Sequence, residues 1–466
     1  MILRKIFIVS LFLLHFLDRH FDRIFPSKYS LVIGIISAQE HLDRRNAARK
    51  TWLKSLTQSK QVKYYFVIGK HSCPVPTEDR LFIEECSEWS SKFFNSSTSW
   101  EDHFSVGATN KDLGSSFNHN TVSQQASEFI FIVNFDIVIL QVGVVSEVIK
   151  NNGGLVYIKI YDQRNSVLLA TTFTNTSFSA DEYLSSAKVN QLFLPKGFEG
   201  RIRIEGSNQI LILDSASCSH AKTNQIPPVV HILHPVSNQP CFLVGFKYVL
   251  HDASKFKEFM RKRQYRFAER QNQIIRLQDS LDEEFSIFQD IILLDVIDVY
   301  KNLPLKVLTF FHWMAKNIAF DYALKTDDDT IINIDKVLAE VEDSIRNKRT
   351  WDWWSCFRSM WPVMDIGKWR EYNLISQTYP EFPSGAGYVL RRNLIEYLSR
   401  NFDLMFKHFQ GEDVSMGIWM SPIFPVKLVG RSCHWACDNE FRSYSCNVAN
   451  LDVTKFSNYW KLLKKS

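Results

Sequence analysis

The apolar positions of the chain change texture three times. Near the start, Tyr29 to Ser37 reads YSLVIGIIS, a β-branched apolar run that predicts a strand buried on both faces. His41 to Ser55 follows with helical character (LDRRNAARKTWLKS), and Val62 to Ile68 (VKYYFVI) predicts a second buried strand. Strand, helix and strand in about forty residues are the opening of an α/β nucleotide-binding sheet.

From about Ser87 to Asn120 the chain is rich in Ser, Asn and Thr, which predicts a loop or linker. Short β-rich runs then recur from Phe129 to about Ile212: FIFIVNF, IVILQVGVV, LVYIKIY, VLLATTF, QLFLP and RIRIEG. Asn152-Gly153-Gly154 and Asp162-Gln163-Arg164-Asn165 separate some of them in the manner of hairpin turns. No long helix interrupts the runs, so an antiparallel β-sandwich inserted into the α/β domain is expected. Ser254 to Leu277 carries eight Lys/Arg against two Glu, with Phe256, Met260, Phe267 and Ile274 at helical spacing. It reads either as a basic helix touching membrane headgroups or a diphosphate, or as a solvated amphipathic helix packed on its apolar stripe. From Ile291 the α/β texture returns. IILLDV is a strand, Asn302-Leu303-Pro304 starts a helix, and Tyr322 to Lys325 is a short strand running directly into acid.

Composition narrows the class. Hydrophobic residues make up 45% and charged residues 23% of 466, which suits a globular chain and excludes a collagenous or wholly disordered one. A net charge of +5 is too small and too dispersed for nucleic acid to be the main partner. Ile6 to Leu17 is almost wholly apolar, with Arg4 and Lys5 before it. Twelve residues span only ~18 Å of a ~30 Å hydrocarbon core, as in a signal peptide, yet no small-residue cleavage site follows. An uncleaved signal-anchor over 1–25, with a short cytosolic tail, is therefore expected. Sequons at Asn95 and Asn175 agree with a lumenal body, where disulfides are permitted. Cys73 and Cys86 bracket a Pro-containing loop, and Cys433, Cys437 and Cys446 cluster near the C-terminus. Without a second CxxC partner, bridging is expected rather than zinc.

The candidate chemistry lies in two acidic clusters. Asp327-Asp328-Asp329 places three carboxylates at a strand end, where their repulsion calls for a hard divalent cation such as Mn²⁺ or Mg²⁺. Gly411-Glu412-Asp413-Val414 offers either a helix cap or a general base. Between them Trp351, Trp353, Trp354, Trp361 and Trp369 form an aromatic belt whose indoles suit sugar faces or a core.

In this order, RRNAARKTW, LKTDDDT, YPEFPSGAGYVL and GEDVSMGIW resemble the inverting β-1,3-glycosyltransferases that use UDP-galactose, UDP-GalNAc or UDP-GlcNAc. IGKHSCPVPTEDR, the β-rich insert ending LPKGFEG, FRSMWPVMDIGKW and GEDVSMGIWM are most similar to the members that transfer GalNAc. The resemblance implies an A-type, Rossmann-like glycosyltransferase fold with a single DxD metal site. It implies a type II protein of the Golgi or endoplasmic reticulum membrane, facing the lumen, with a UDP-sugar donor and a glycan acceptor on a glycoprotein or glycolipid. A terminal β-GlcNAc, on an O-mannosyl glycan, is the acceptor it suggests. Other sugars of the family, or a non-catalytic chaperone or lectin, are the alternatives. On matching positions Asp327 and Asp329 would hold the metal, with Asp328, Arg45, Arg49 and Trp52 at the donor, the two arginines reading equally as an ion-pairing helix face. Asp413 would be the base, and Glu412, Trp353, Trp354 and Trp361 would meet the acceptor. Cys73, Cys86, Cys433 and Cys437 are the expected disulfide cysteines. The expected organisation is a catalytic domain over 26–90 and 246–466, split by a linker and insert over 91–245.

Overall fold

The computed structural model describes residues 29–56, 59–89, 104–107, 125–174, 184–206, 229–233, 241–371, 374, 376–403, 409–428, 430, 432–437, 442 and 444–465. The expected anchor over 1–25 and both sequon asparagines, Asn95 and Asn175, lie outside them. Among the described residues no helix is long and apolar enough to cross a membrane. The chain divides into two compact units. Described residues of Met1–Pro74, Gln271–Val363 and Asn373–Ser466 form one, and those of Val75–Arg270 and Met364–Tyr372 the other.

The first unit is an α/β sheet. Its elements are β1 (Tyr29–Ile36), α1 (Leu42–Lys50), β2 (Val62–His71), α2 (Arg263–Phe288, which belongs to this unit from Gln271 onward), β3 (Ile291–Ile297), α3 (Leu303–Asn317) and β4 (Phe320–Asp327). They continue with α4 (Ile334–Arg346), β5 (Trp353–Arg358), β6 (Phe382–Arg391), α5 (Arg392–Arg400) and α6 (Glu412–Met420). Among the described residues the strand order is β3-β2-β1-β4-β6-β5. The first four strands run parallel, and β6 and β5 each pair antiparallel with the strand before them in that order. β1 is apolar on both faces because both are covered: Leu31, Ile33 and Ile35 join one core, and Val32 and Ile36 join another with Phe310, Phe311 and Met314 of α3. Gly34 admits this packing, since a Cβ there would overlap the Phe310 ring. β4 is longer at both ends than the expected Tyr322–Lys325, so Asp327 is its last residue.

The second unit holds two antiparallel sheets. One runs in the order Val230–Ile232, Glu128–Val133, Glu199–Gly206, Leu155–Tyr161, Val167–Thr174, and the other Phe104–Gly107, Val244–Leu250, Ile137–Val145, Leu184–Leu194. Their inner faces share one core, with Phe131 of the first sheet 5.0 Å from Phe246 of the second, ring centre to ring centre. This is a sandwich. Asp162–Asn165 is a hairpin turn, with Asp162 Oδ1 accepting from the backbone of Arg164 and Ser166. Asn152-Gly153-Gly154 is not. A short helix, Ser146–Asn151, precedes it, and the chain crosses from one sheet to the other.

The second unit also begins before residue 91 and takes in 364–372 from far along the chain. Glu199 explains the capture: it accepts from the Gly367 backbone at 2.6 Å and from Arg370 at 3.1 Å. The basic stretch over 254–277 forms two helices, Ala253–Arg261 and the start of α2. Arg266 pairs with fully buried Asp79 through two bonds of 2.7 Å, whereas Lys255, Lys257, Arg261, Lys262 and Arg276 are exposed.

Candidate active site

Ligands of open α/β sheets sit at the carboxyl ends of the strands, and the first acidic cluster stands there. Asp328 is tied back to β1: its N–H donates to Ile36 O at 3.0 Å, and Oδ2 accepts from Ser37 Oγ at 2.7 Å. His41 Nδ1 lies 2.8 Å from the same oxygen, and Arg44 donates to Oδ1 at 3.1 Å. Burial pushes the Asp328 carboxyl up, but His41, Ser37 and Arg44 outweigh it and hold it below the usual carboxylate value. Its neighbours are left open, with side-chain exposures of 39% at Asp327 and 26% at Asp329. Burial raises the Asp329 carboxyl, and the charges of Asp327 and Asp328 raise it further against a weaker pull from Arg44.

That pattern fits a cation. Among the described residues no three His, Cys, Asp or Glu side chains form a ready-made metal cage. Mg²⁺ and Mn²⁺ at phosphate sites are commonly held by one or two carboxylates plus phosphate oxygens, which is the donor set Asp327 and Asp329 can offer.

The second cluster opens α6. Glu412 is buried; Lys325 holds its Oε2 at 2.9 Å, and Tyr388 Oη donates to its Oε1. Burial lifts the Tyr388 hydroxyl well above its ordinary value and the Glu412 charge adds to the effect, so it stays a donor. Burial opposes the charge on Lys325, but Asp327 and Glu412 overcome it and raise the ammonium above its ordinary value. Asp413 differs from its neighbour. It is half-buried, with Oδ1 accepting from the Val414 N–H at 2.9 Å. Burial raises its carboxyl, and Val414 and Lys325 offset only part of that. Gly411 leaves the space it needs: a Cβ there would come within 2.8 Å of Asp413 Oδ1.

Several expected site residues are placed elsewhere. Arg45 is buried and bonded to both oxygens of Glu284 on α2, and Arg49 pairs with Glu284 and Asp290 at 2.7 Å each. Their guanidinium groups face carboxylates that would otherwise be buried alone, so in this structure they form an ion-pairing helix face. Trp52 has no exposed surface and lies in the core with Leu31 and Phe66. Trp353 and Trp354 are 1% and 2% exposed, which removes them from acceptor contact, whereas Trp361 is 43% exposed. Glu412 has both oxygens engaged, one by Lys325 and the other by Tyr388. Disulfides join Cys356 to Cys437 and Cys433 to Cys446, while Cys73 and Cys86 are also disulfide-bonded.

The residues that sequence reasoning missed are His41, Arg44, Lys325 and Tyr388. Periodicity held a signal for three of them. His41 and Arg44 are three apart at the start of α1, and Lys325 shares a strand face with Asp327.

Comparison with known proteins adds an independent finding. The sequence model of a family described as Galactosyltransferase matches residues 269–424, a span that contains both acidic clusters. The chain is 30% identical over 444 residues to "UDP-GalNAc:beta-1,3-N-acetylgalactosaminyltransferase 2" of Xenopus laevis, covering 89% of this chain and 86% of that protein. It is 28% identical over 456 residues to the Homo sapiens protein of that name, covering 94% and 88%. "Beta-1,3-galactosyltransferase 6" of Mus musculus is 31% identical over 180 residues, covering 38% and 54%.

Proposed function

Because the chain belongs to the galactosyltransferase family, we propose that it moves GalNAc from UDP-GalNAc, with inversion, to the 3-hydroxyl of a terminal β-GlcNAc. The broader activity follows from membership and the relatives: the chain is a UDP-sugar-dependent glycosyltransferase that forms β-1,3 linkages. The choice of GalNAc is supported by the relatives that match along nearly the whole chain, insert included, whereas the galactosyltransferase match covers 38% of it. The proposed carrier of the acceptor is an O-mannosyl glycan of a glycoprotein. The proposed setting is the lumen of the endoplasmic reticulum or Golgi, with residues 1–25 as the anchor. The Cys356–Cys437 and Cys433–Cys446 bridges support an oxidising compartment.

The observation that carries the mechanism is the contrast at the start of α6. Glu412 is locked by Lys325 and Tyr388, and Asp413 keeps a half-buried carboxylate whose proton affinity burial has raised. Asp413 takes the proton of the acceptor 3-hydroxyl as that oxygen bonds to C1 of GalNAc. The bond from C1 to the UDP oxygen breaks, and its electrons leave with the diphosphate. A Mn²⁺ or Mg²⁺ ion held through Asp327 and Asp329 would supply Lewis-acid neutralisation of the departing charge. The Arg44 guanidinium offsets the Asp328 charge, with His41 bonded to the same carboxylate, and so limits repulsion of the diphosphate. Trp361 is the belt indole still open enough in this unit to lie against a sugar.

A panel of UDP-GalNAc, UDP-Gal and UDP-GlcNAc against GlcNAc-terminated acceptors tests this. The expected product is β-1,3-linked GalNAc by NMR. Preference for UDP-Gal or UDP-GlcNAc would replace the donor, and absence of transfer from any donor would end the acceptor assignment.

A further inference from the structure

One buried cation joins the strand that ends in acid to the helix that carries Asp413. Lys325 stands two residues before Asp327 on β4, and its ammonium reaches three oxygens. These are Asp327 Oδ1 at 2.9 Å, Glu412 Oε2 at 2.9 Å and Gly385 O at 2.6 Å. An ammonium has three N–H donors, and each has a partner here. The partners belong to β4, α6 and β6. Because Tyr388 on β6 holds the other oxygen of Glu412, that side chain cannot turn, and Asp413 is fixed one residue further along α6. The wall beside Asp413 is gripped as well: a Cβ at Gly385 would come 3.5 Å from Asp413 Oδ2. Neutralising buried Glu412 needs one of these contacts. The bond to half-exposed Asp327 is not required for burial, and it is the one that ties the base side to the diphosphate side.

We infer that Lys325 is a positioning residue for transfer, setting the place of Asp413 relative to Asp327 through Glu412 and Gly385. The inference rests on Asp413 being the base. Lys325→Met removes the ammonium at nearly constant length. Lys325→Arg keeps the charge but presents a planar fork in place of a compact three-donor point. Both variants should bind UDP like the parent. Lys325→Met should lose turnover ~10²-fold, the scale of a displacement of about 1 Å, with acceptor KM unchanged. Lys325→Arg should lose less. Adding Glu412→Gln to Lys325→Met should cost little more, because both variants break one connection.

A merely structural lysine would lower the melting midpoint and leave kcat per UDP-binding site intact. That result in Lys325→Arg overturns the inference, and it can be read even if Lys325→Met does not fold. Intact turnover in Lys325→Arg beside an inactive Asp413→Asn sinks the positioning role alone. Intact turnover in Asp413→Asn sinks the base assignment instead.

Discussion

The two acidic clusters are built alike and left in different states. In each, one carboxylate is fully engaged by protein groups: Asp328 by His41, Arg44 and Ser37, and Glu412 by Lys325 and Tyr388. In each, a neighbour stays accessible with a raised proton affinity. The reasons differ beyond the burial they share. Asp329 is raised further by the like charges of Asp327 and Asp328, while the larger neighbouring effects on Asp413 oppose its rise. Like-charge repulsion is relieved by a cation, and a desolvated lone carboxylate is relieved by a proton. One chain thus carries a site suited to a metal and a site suited to a base.

The largest effect should come from breaking the first half of that comparison. Chelation is expected to abolish transfer, and Mn²⁺ to restore it. Asp329→Ala should stay inactive at metal concentrations that restore the parent. Full activity in excess chelator would show that Asp327 and Asp329 do not hold a required cation.

The second half is tested at Asp413. Asp413→Asn keeps the shape and removes the proton acceptor, so turnover should fall by ~10²–10⁴-fold with UDP affinity retained. Glu412→Gln should lose less, because Glu412 orients and does not accept the proton. The sign of the pH effect follows from the raised Asp413 carboxyl. Turnover should be full above that value and fall as pH drops through it, at a pH above the ordinary Asp value of 3.8. Loss of UDP binding in Asp413→Asn, with turnover intact, would move this residue to the donor site.

Much of the architecture was legible because parallel strands buried on both faces have no alternation to misread. The run from Tyr29 to Ser37 ends one residue beyond β1, and both acid runs stand at element ends as their neighbours suggested. Partner choice was not legible. Arg44 and Arg45 are adjacent, yet ~100° of helix rotation sends one to Asp328 and the other to Glu284, 239 residues away. Trp353 and Trp361 are equally suited to stack on a sugar by type, and only packing against Phe357 and Tyr388 buries the first. The capture of 364–372 by the second unit depends on Glu199 meeting Arg370 across 171 residues. No local pattern reports such a contact.

The smallest effect on activity belongs to Arg45, and it separates the two arginines most sharply. Arg45 lies beside Arg44 on α1 but is 1% exposed, with Glu284 at 2.6 Å also buried. Arg45→Met keeps much of the apolar stem and removes the charge that faces Glu284. Leaving one partner of a buried pair alone typically costs about 3–5 kcal/mol, and the Arg49 contact to Glu284 at 2.7 Å places this case toward the low end. The expected outcome is a lower urea midpoint with kcat and donor KM unchanged per folded molecule. Arg44→Gln should do the reverse, because its partly exposed ion pair adds at most ~1 kcal/mol of stability, while its place between Asp328 and Asp329 bears on the donor. A raised donor KM in Arg45→Met at native stability would return Arg45 to the nucleotide and undo the division between the two.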